Sequence, residues 1–131
     1  MFIQLLKGKI HRARITGCDL QYEGSLGIDE DLLDQAGILP FEKILVVNAT
    51  NGNRLETYAI PAPRGSRIFL LNGAAAHKGK VGDIITVMAF ASVTPEEARQ
   101  FAHATIVLDE QNRVVRVKQG GPGLPADATP E

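Results

Sequence analysis

Ile44-Leu45-Val46-Val47-Asn48-Ala49-Thr50-Asn51-Gly52-Asn53-Arg54-Leu55-Glu56-Thr57-Tyr58-Ala59-Ile60-Pro61-Ala62-Pro63 is the most legible stretch of this 131-residue chain. Ile44 to Val47 is a continuous β-rich run, as expected for a strand buried on both faces. Asn51-Gly52 predicts a tight hairpin turn, because both residues tolerate positive φ. Arg54 to Ile60 is the return strand, and Pro61-Ala62-Pro63 ends it. Side chains alternate along such a strand, so Arg54, Glu56 and Tyr58 share one face and Leu55, Thr57 and Ala59 the other.

Outward from this hairpin the same texture continues. Ile3 to Ile15 alternates loosely, and Ile68 to Leu71 and Ile84 to Ala91 read as strands. Thr105 to Leu108 and Val114 to Val117 form a late hairpin around Glu110-Gln111-Asn112. Two helices interrupt the strands. Asp29 caps the first, with Ile28 and Leu33 as a hydrophobic staple and Gly37 past its end. The second opens at Thr94-Pro95-Glu96-Glu97, where cap, first-turn proline and capping-box glutamate agree. From Gly120 onward Gly and Pro dominate, and residues 118–131 read as a disordered tail. Six or so short strands with two or three short helices predict one mostly β barrel over residues 1–117.

Bulk properties narrow the function. Lys and Arg number 14 against 15 Asp and Glu, and aromatics make up 5% with no Trp. A basic stripe and an aromatic stacking platform are both missing, which disfavours nucleic acid. Cys18 is the single cysteine, so an intrachain disulfide is impossible, which suits a reducing cytoplasm. His11 and His77 lack zinc-motif spacing, and no metal site is expected. The start of the chain does not read as a signal peptide, and no apolar stretch reaches membrane-spanning length. No membrane partner is therefore expected.

Four segments could carry chemistry. Tyr22-Glu23-Gly24-Ser25 puts a hydroxyl next to an uncrowded glycine carbonyl, where a serine oxygen can attack the preceding peptide. Alone, a Gly-Ser pair usually means a loop. Arg54 and Tyr58 place a cation and a phenol on one strand face, which is also what a solvated face looks like. Asn72-Gly73-Ala74-Ala75-Ala76-His77 follows a strand, and its small residues let a ligand approach the backbone. If it opens a helical turn, its free N–H groups would receive an anion; a plain turn is the simpler reading. Lys7, Lys9, His11 and Arg12 crowd the first strand, either solvated or facing a carboxylate.

Taken in order, Lys9-Ile10-His11-Arg12, Tyr22-Glu23-Gly24-Ser25, Ile28-Asp29, Ala36-Gly37, Thr50-Asn51-Gly52, Arg54, Thr57-Tyr58-Ala59-Ile60, Arg64-Gly65-Ser66 and Asn72 to His77 resemble the bacterial aspartate 1-decarboxylase family. The resemblance runs from about Met1 to Val117. It implies a double-psi β-barrel and autocatalytic cleavage at Gly24-Ser25, giving a β chain of residues 1–24 and an α chain of residues 25–131. It implies that Ser25 becomes a pyruvoyl group, with neither metal nor pyridoxal phosphate. It further implies that Thr57 assists cleavage and that Tyr58 donates a proton. Lys9, Arg54, Thr57, Asn72, Gly73, Ala74 and Ala75 are then expected to bind L-aspartate, which is converted to β-alanine and carbon dioxide for pantothenate synthesis. The resemblance also implies a cytoplasmic homotetramer with sites at subunit interfaces, and a maturation helper protein is a potential partner. The rival readings are a barrel that never processes and a pyruvoyl decarboxylase for another amino acid such as glutamate.

Overall fold

The computed structural model describes residues 1–124. Among these residues nine strands form one sheet, accompanied by three short helical segments. The strands are β1 (Ile3–Arg14), β2 (Gly17–Asp19), β3 (Ser25–Asp29), β4 (Lys43–Asn48), β5 (Arg54–Ala62), β6 (Phe69–Asn72), β7 (Ile84–Val93), β8 (His103–Leu108) and β9 (Val114–Gly120). The helices are α1 (Glu30–Ala36), α2 (Pro95–Ala98) and a 3-10 turn, Gly73–Lys78. The sheet order is β2-β6-β3-β5-β4-β7-β1-β8-β9.

This is the mostly β, barrel-like fold that was expected. Parallel pairs β1–β8, β2–β6 and β3–β5 join strands far apart in sequence. Such pairs require crossovers, which antiparallel hairpins alone would not produce. The sheet coils around a core that includes Ile10, Leu26, Ile44, Phe69 and Ile106, all essentially inaccessible. α1 is capped as predicted: Asp29 accepts from the Asp31 N–H at 2.9 Å, and Gly37 closes the helix at φ 71°. The same Asp29 carboxylate accepts from the N–H groups of Gly65 and Arg67, so one side chain holds both α1 and the approach to β6. α2 carries both capping-box bonds but lasts a single turn.

Several expectations need correcting. The β4–β5 connection is not a two-residue turn: residues 49–53 all lie outside the strands, and of Asn51 and Gly52 only the glycine has positive φ, 80°. The Asn48 side chain takes up the N–H groups of Thr50 and Asn51, which favours this longer loop. β4 is buried on one face only, since Ile44 and Val46 are inaccessible while Leu45 and Val47 are half-exposed. β5 runs through Pro61, which pairs with Ile28, to Ala62. β2 and β3 were not foreseen. β9 continues to Gly120, three residues beyond the expected end of the barrel, because its partner β8 still pairs there, His103 with Gly120. The remainder of the expected tail, residues 125–131, lies outside the described residues.

Candidate functional site

Ser25 is the first residue of β3 and sits between two neighbours, β6 on one side and β5 on the other. The chain changes from exposed at Gly24 to inaccessible at Ser25. The Ser25 hydroxyl oxygen accepts from Asn72 Nδ2 at 3.0 Å and donates to the Glu23 carbonyl at 3.4 Å. Asn72 stands opposite Ser25 in the antiparallel ladder. Its other amide atom, Oδ1, is buried with no partner. A buried acceptor left empty is costly, so the amide is held with spare hydrogen-bonding capacity beside the hydroxyl.

Gly73 closes the underside. Its φ is +64°, and a Cβ there would lie 2.6 Å from the Gly24 nitrogen and 2.7 Å from the Tyr22 carbonyl oxygen. Only glycine fits, for both reasons. From Gly73 the chain enters the 3-10 turn, with Ala74 exposed and Ala75 packed partly against the core. Asn72 does not cap this turn with its side chain, because its amide faces Ser25. His77 is exposed near the end of the turn.

Strand register separates Thr57 from Tyr58. β3 and β5 are parallel, with Leu26 beside Ala59 and Gly27 beside Ile60. Leu26 and Ala59 belong to the core. A Cβ on Gly27 would meet Leu70 and Ile60, so those three positions share the other face. Carried back by one residue, the register sets Ser25 beside Tyr58 on this second face; Thr57 lies on the core face of β5, and Gly24 precedes the strand and is exposed. Thr57 pairs with the buried Ile44 in β4, and Tyr58 with Lys43, in an unbroken ladder. No bulge turns the two side chains to one side. Tyr58 shares the Ser25 face of the sheet and Thr57 the opposite one.

Tyr58 is half-buried, and its ring stacks on Phe41 with centroids 6.2 Å apart and planes inclined by 20°. Phe41 is exposed and has φ 69°, rare for an aromatic residue. Its N–H donates to the Ala59 carbonyl at 2.6 Å, which pins the stack to β5. Nothing in the sequence signals this contact, since a left-handed phenylalanine has no local signature. The bond between Asn72 and Ser25 was equally hidden, because it spans 47 residues.

The cations fall elsewhere. Arg54 opens β5, four residues before Tyr58, which is about 13 Å along a strand. Lys9 lies on β1, four strands from β3 in the sheet order. His11 shares β1, with Nδ1 3.4 Å from the Thr86 hydroxyl, and Arg12 follows in a bulge at φ 64°. Within one chain, Ser25, Asn72 and Gly73 are brought together with Thr57 and Tyr58 alongside, whereas Lys9 and Arg54 are set apart. Among the described residues no cluster of His, Cys, Asp and Glu could hold a metal ion.

Fold and site together define a small β-barrel that buries a serine hydroxyl immediately after an exposed glycine. The family model described as aspartate decarboxylase matches residues 1–115. Proteins named aspartate 1-decarboxylase are similar over nearly their whole length. The one from Carboxydothermus hydrogenoformans is 51% identical over 91% of this chain and 94% of its own. The one from Hyphomonas neptunium is 52% identical over 88% and 98%, and the one from Pelotomaculum thermopropionicum 47% identical over 98% and 97%. The chain belongs to the aspartate decarboxylase family.

Proposed function

We propose that this protein cuts its own backbone between Gly24 and Ser25 and then decarboxylates L-aspartate to β-alanine, a step toward pantothenate in the cytoplasm. The observation that carries this reading is the buried Ser25 hydroxyl, bonded to Asn72 and next in the chain to the Gly24 backbone that Gly73 closely approaches. In the first reaction the Ser25 oxygen adds to the Gly24 carbonyl carbon. The peptide C–N bond breaks, its nitrogen takes a proton, and an ester remains. Loss of the residue-25 α-proton then expels Gly24 as a carboxylate, and water releases ammonia to leave a pyruvoyl group. Thr57, on the neighbouring strand β5, donates to the oxyanion.

The residues present suit a small ketone at position 25, for the Asn72 amide offers a donor and a free acceptor in a dry site. A pyruvoyl group supplies a carbonyl that takes up the substrate amine and accepts the electrons released with carbon dioxide. Tyr58 lies on the Ser25 face, and its phenol delivers a proton to the substrate α-carbon. Gly73, Ala74 and Ala75 allow close approach of the substrate to backbone. Arg54 and Lys9 supply the grip on carboxylate. The cation that selects aspartate should hold its side-chain carboxylate, because a tight bond to the departing one would stabilise the ground state and slow the reaction. The assembly is a homotetramer whose sites lie between copies, consistent with the distance of Lys9 and Arg54 from Ser25.

Intact mass under denaturing conditions tests the first step. Two pieces, residues 1–24 and residues 25–131, with the larger lighter than its serine-started form by one ammonia, are expected. Ser25→Ala should give a single uncut mass and no β-alanine; decarboxylation by that variant would remove the assignment. If the unaltered protein stays whole after warming and after incubation with a maturation helper, the barrel is a non-processing member. A panel that turns over glutamate in preference to aspartate would reassign the substrate.

A further inference from the structure

Three side-chain amides converge on a single carbonyl. Asn48 at the end of β4, and Asn51 and Asn53 in the connection from β4 to β5, donate through Nδ2 to the Lys78 carbonyl at 3.2, 3.1 and 3.3 Å. Lys78 is the last residue of the 3-10 turn that begins at Gly73. A carbonyl oxygen has two lone pairs, so three donors exceed what its own satisfaction requires.

The surrounding bonds close the set. Asn48 Nδ2 also donates to Asp83 Oδ2 at 2.9 Å, and that same oxygen accepts from the Lys80 N–H at 3.0 Å. Asn48 and Asp83 are 2% and 3% exposed. Asn51 Oδ1 accepts from the Asn53 N–H at 2.8 Å, and the Thr50 hydroxyl accepts from the Ile84 N–H at 2.9 Å. Loop, turn and the start of β7 are thereby joined. The buried pair Asn48–Asp83 accounts for itself as a fold-stabilising hub. Asn51 is exposed and Asn53 half-exposed, so water could have satisfied both amides at little cost. They point at Lys78 instead. The residue after Asn53 is Arg54, and none of these bonds touches Ser25.

We propose that Asn51 and Asn53 are positioning residues for substrate binding. They clamp the loop that leads into Arg54 to the end of the turn that opens with Gly73, Ala74 and Ala75, so that the cation and the backbone floor form one rigid unit. The proposal rests on the reading of Arg54 and Gly73 to Ala75 as substrate contacts. It requires that the clamp act on binding rather than on self-cleavage or proton transfer.

The test is the Asn51→Ala/Asn53→Ala double variant of the full chain. Complete cleavage by intact mass, kcat within about twofold and a KM for aspartate raised about tenfold are expected. In an Arg54→Ala background the same pair should change KM by less than about twofold, because the cation they place is gone. An unchanged KM, a fall in kcat alone, or an equal rise in KM without Arg54 would overturn the proposal. Should the double variant melt early, Asn53→Ala alone carries the test, with a rise in KM of about threefold. Amide hydrogen exchange separates this proposal from the functional reading, for it needs no activity. Residues 49–54 and 73–79 should exchange together and faster in the variant, and unchanged exchange would sink the clamp even in an inactive protein. An unaltered protein that neither cleaves nor decarboxylates would instead overturn the functional reading.

Discussion

At Gly73 the backbone turns at φ +64° directly beneath the Gly24 amide, and each fact separately rejects a side chain. The left-handed conformation costs an L-residue about 1 kcal/mol. The added Cβ must also push the Gly24 segment away, and that segment is backbone, which yields less readily than a side chain. Gly73→Ala should therefore displace the scissile peptide relative to Ser25. The expected outcome is self-cleavage slowed at least about tenfold, with a melting temperature lower by several degrees. Timed intact mass and a thermal melt read both; cleavage at the unaltered rate would show that the Gly24 segment is not held from below. The sequence exposes Gly24, Ser25 and Gly73 as residue types suited to a strained, closely approached site. It does not expose the pairing of Ser25 with Asn72, because that bond depends on β3 and β6 meeting across 47 positions.

On β5 alternation assigns Thr57 to the core face with Leu55 and Ala59, and Tyr58 to the opposite face with Ser25. The two roles proposed for this strand should then be separable by mutation. Tyr58→Phe keeps the ring and its stack on Phe41 but loses the proton, so normal cleavage with kcat reduced about 10²-fold or more is expected. Thr57→Val keeps shape but loses the hydroxyl, so cleavage should slow. If Tyr58→Phe blocked cleavage as well, the division of the strand into two faces would be wrong. Another element-scale expectation concerns α2. The Glu97 carboxylate lies below its ordinary range because the Thr94 N–H bonds to it, with the Thr94 side chain adding to this. A folded pKa below the unfolded one stabilises the cap above the unfolded value, and that stability disappears as pH falls through the folded one. Protection of the amides across 94–98 should therefore fall as pH drops below the ordinary glutamate range, before the core loosens. α2 was legible because capping is local. β2 and β3 were not, since Gly17–Asp19 and Ser25–Asp29 are too short to show periodicity and exist as strands only through β5 and β6.

At the scale of the molecule, the proposed tetramer decides which chain supplies the substrate cation. Ser25, Asn72 and Tyr58 gather near the start of β3, while Lys9 stands four strands away in the sheet. The outer face of β4 and β7 carries half-exposed Leu45, Val47 and Met88 together with the exposed Phe90, the kind of apolar surface that marks an interaction face. Sequence spacing shows Lys9 as a cation near the N-terminus but cannot say whose Ser25 it serves, because that depends on how copies pack. Mixed assemblies can decide. Ser25→Ala and Lys9→Ala copies should each be inactive, the first without the reacting group and the second without a substrate cation. If Lys9 completes the site of a neighbour, a mixed assembly contains sites in which an intact Ser25 meets an intact Lys9 from the other variant. Random mixing then restores about a quarter of full activity. If Lys9 serves its own chain, every site in the mixture retains one defect and co-expression restores nothing. Cleavage by intact mass should be present in the Lys9→Ala copies in either case, so a failure to recover activity could not be blamed on unprocessed protein.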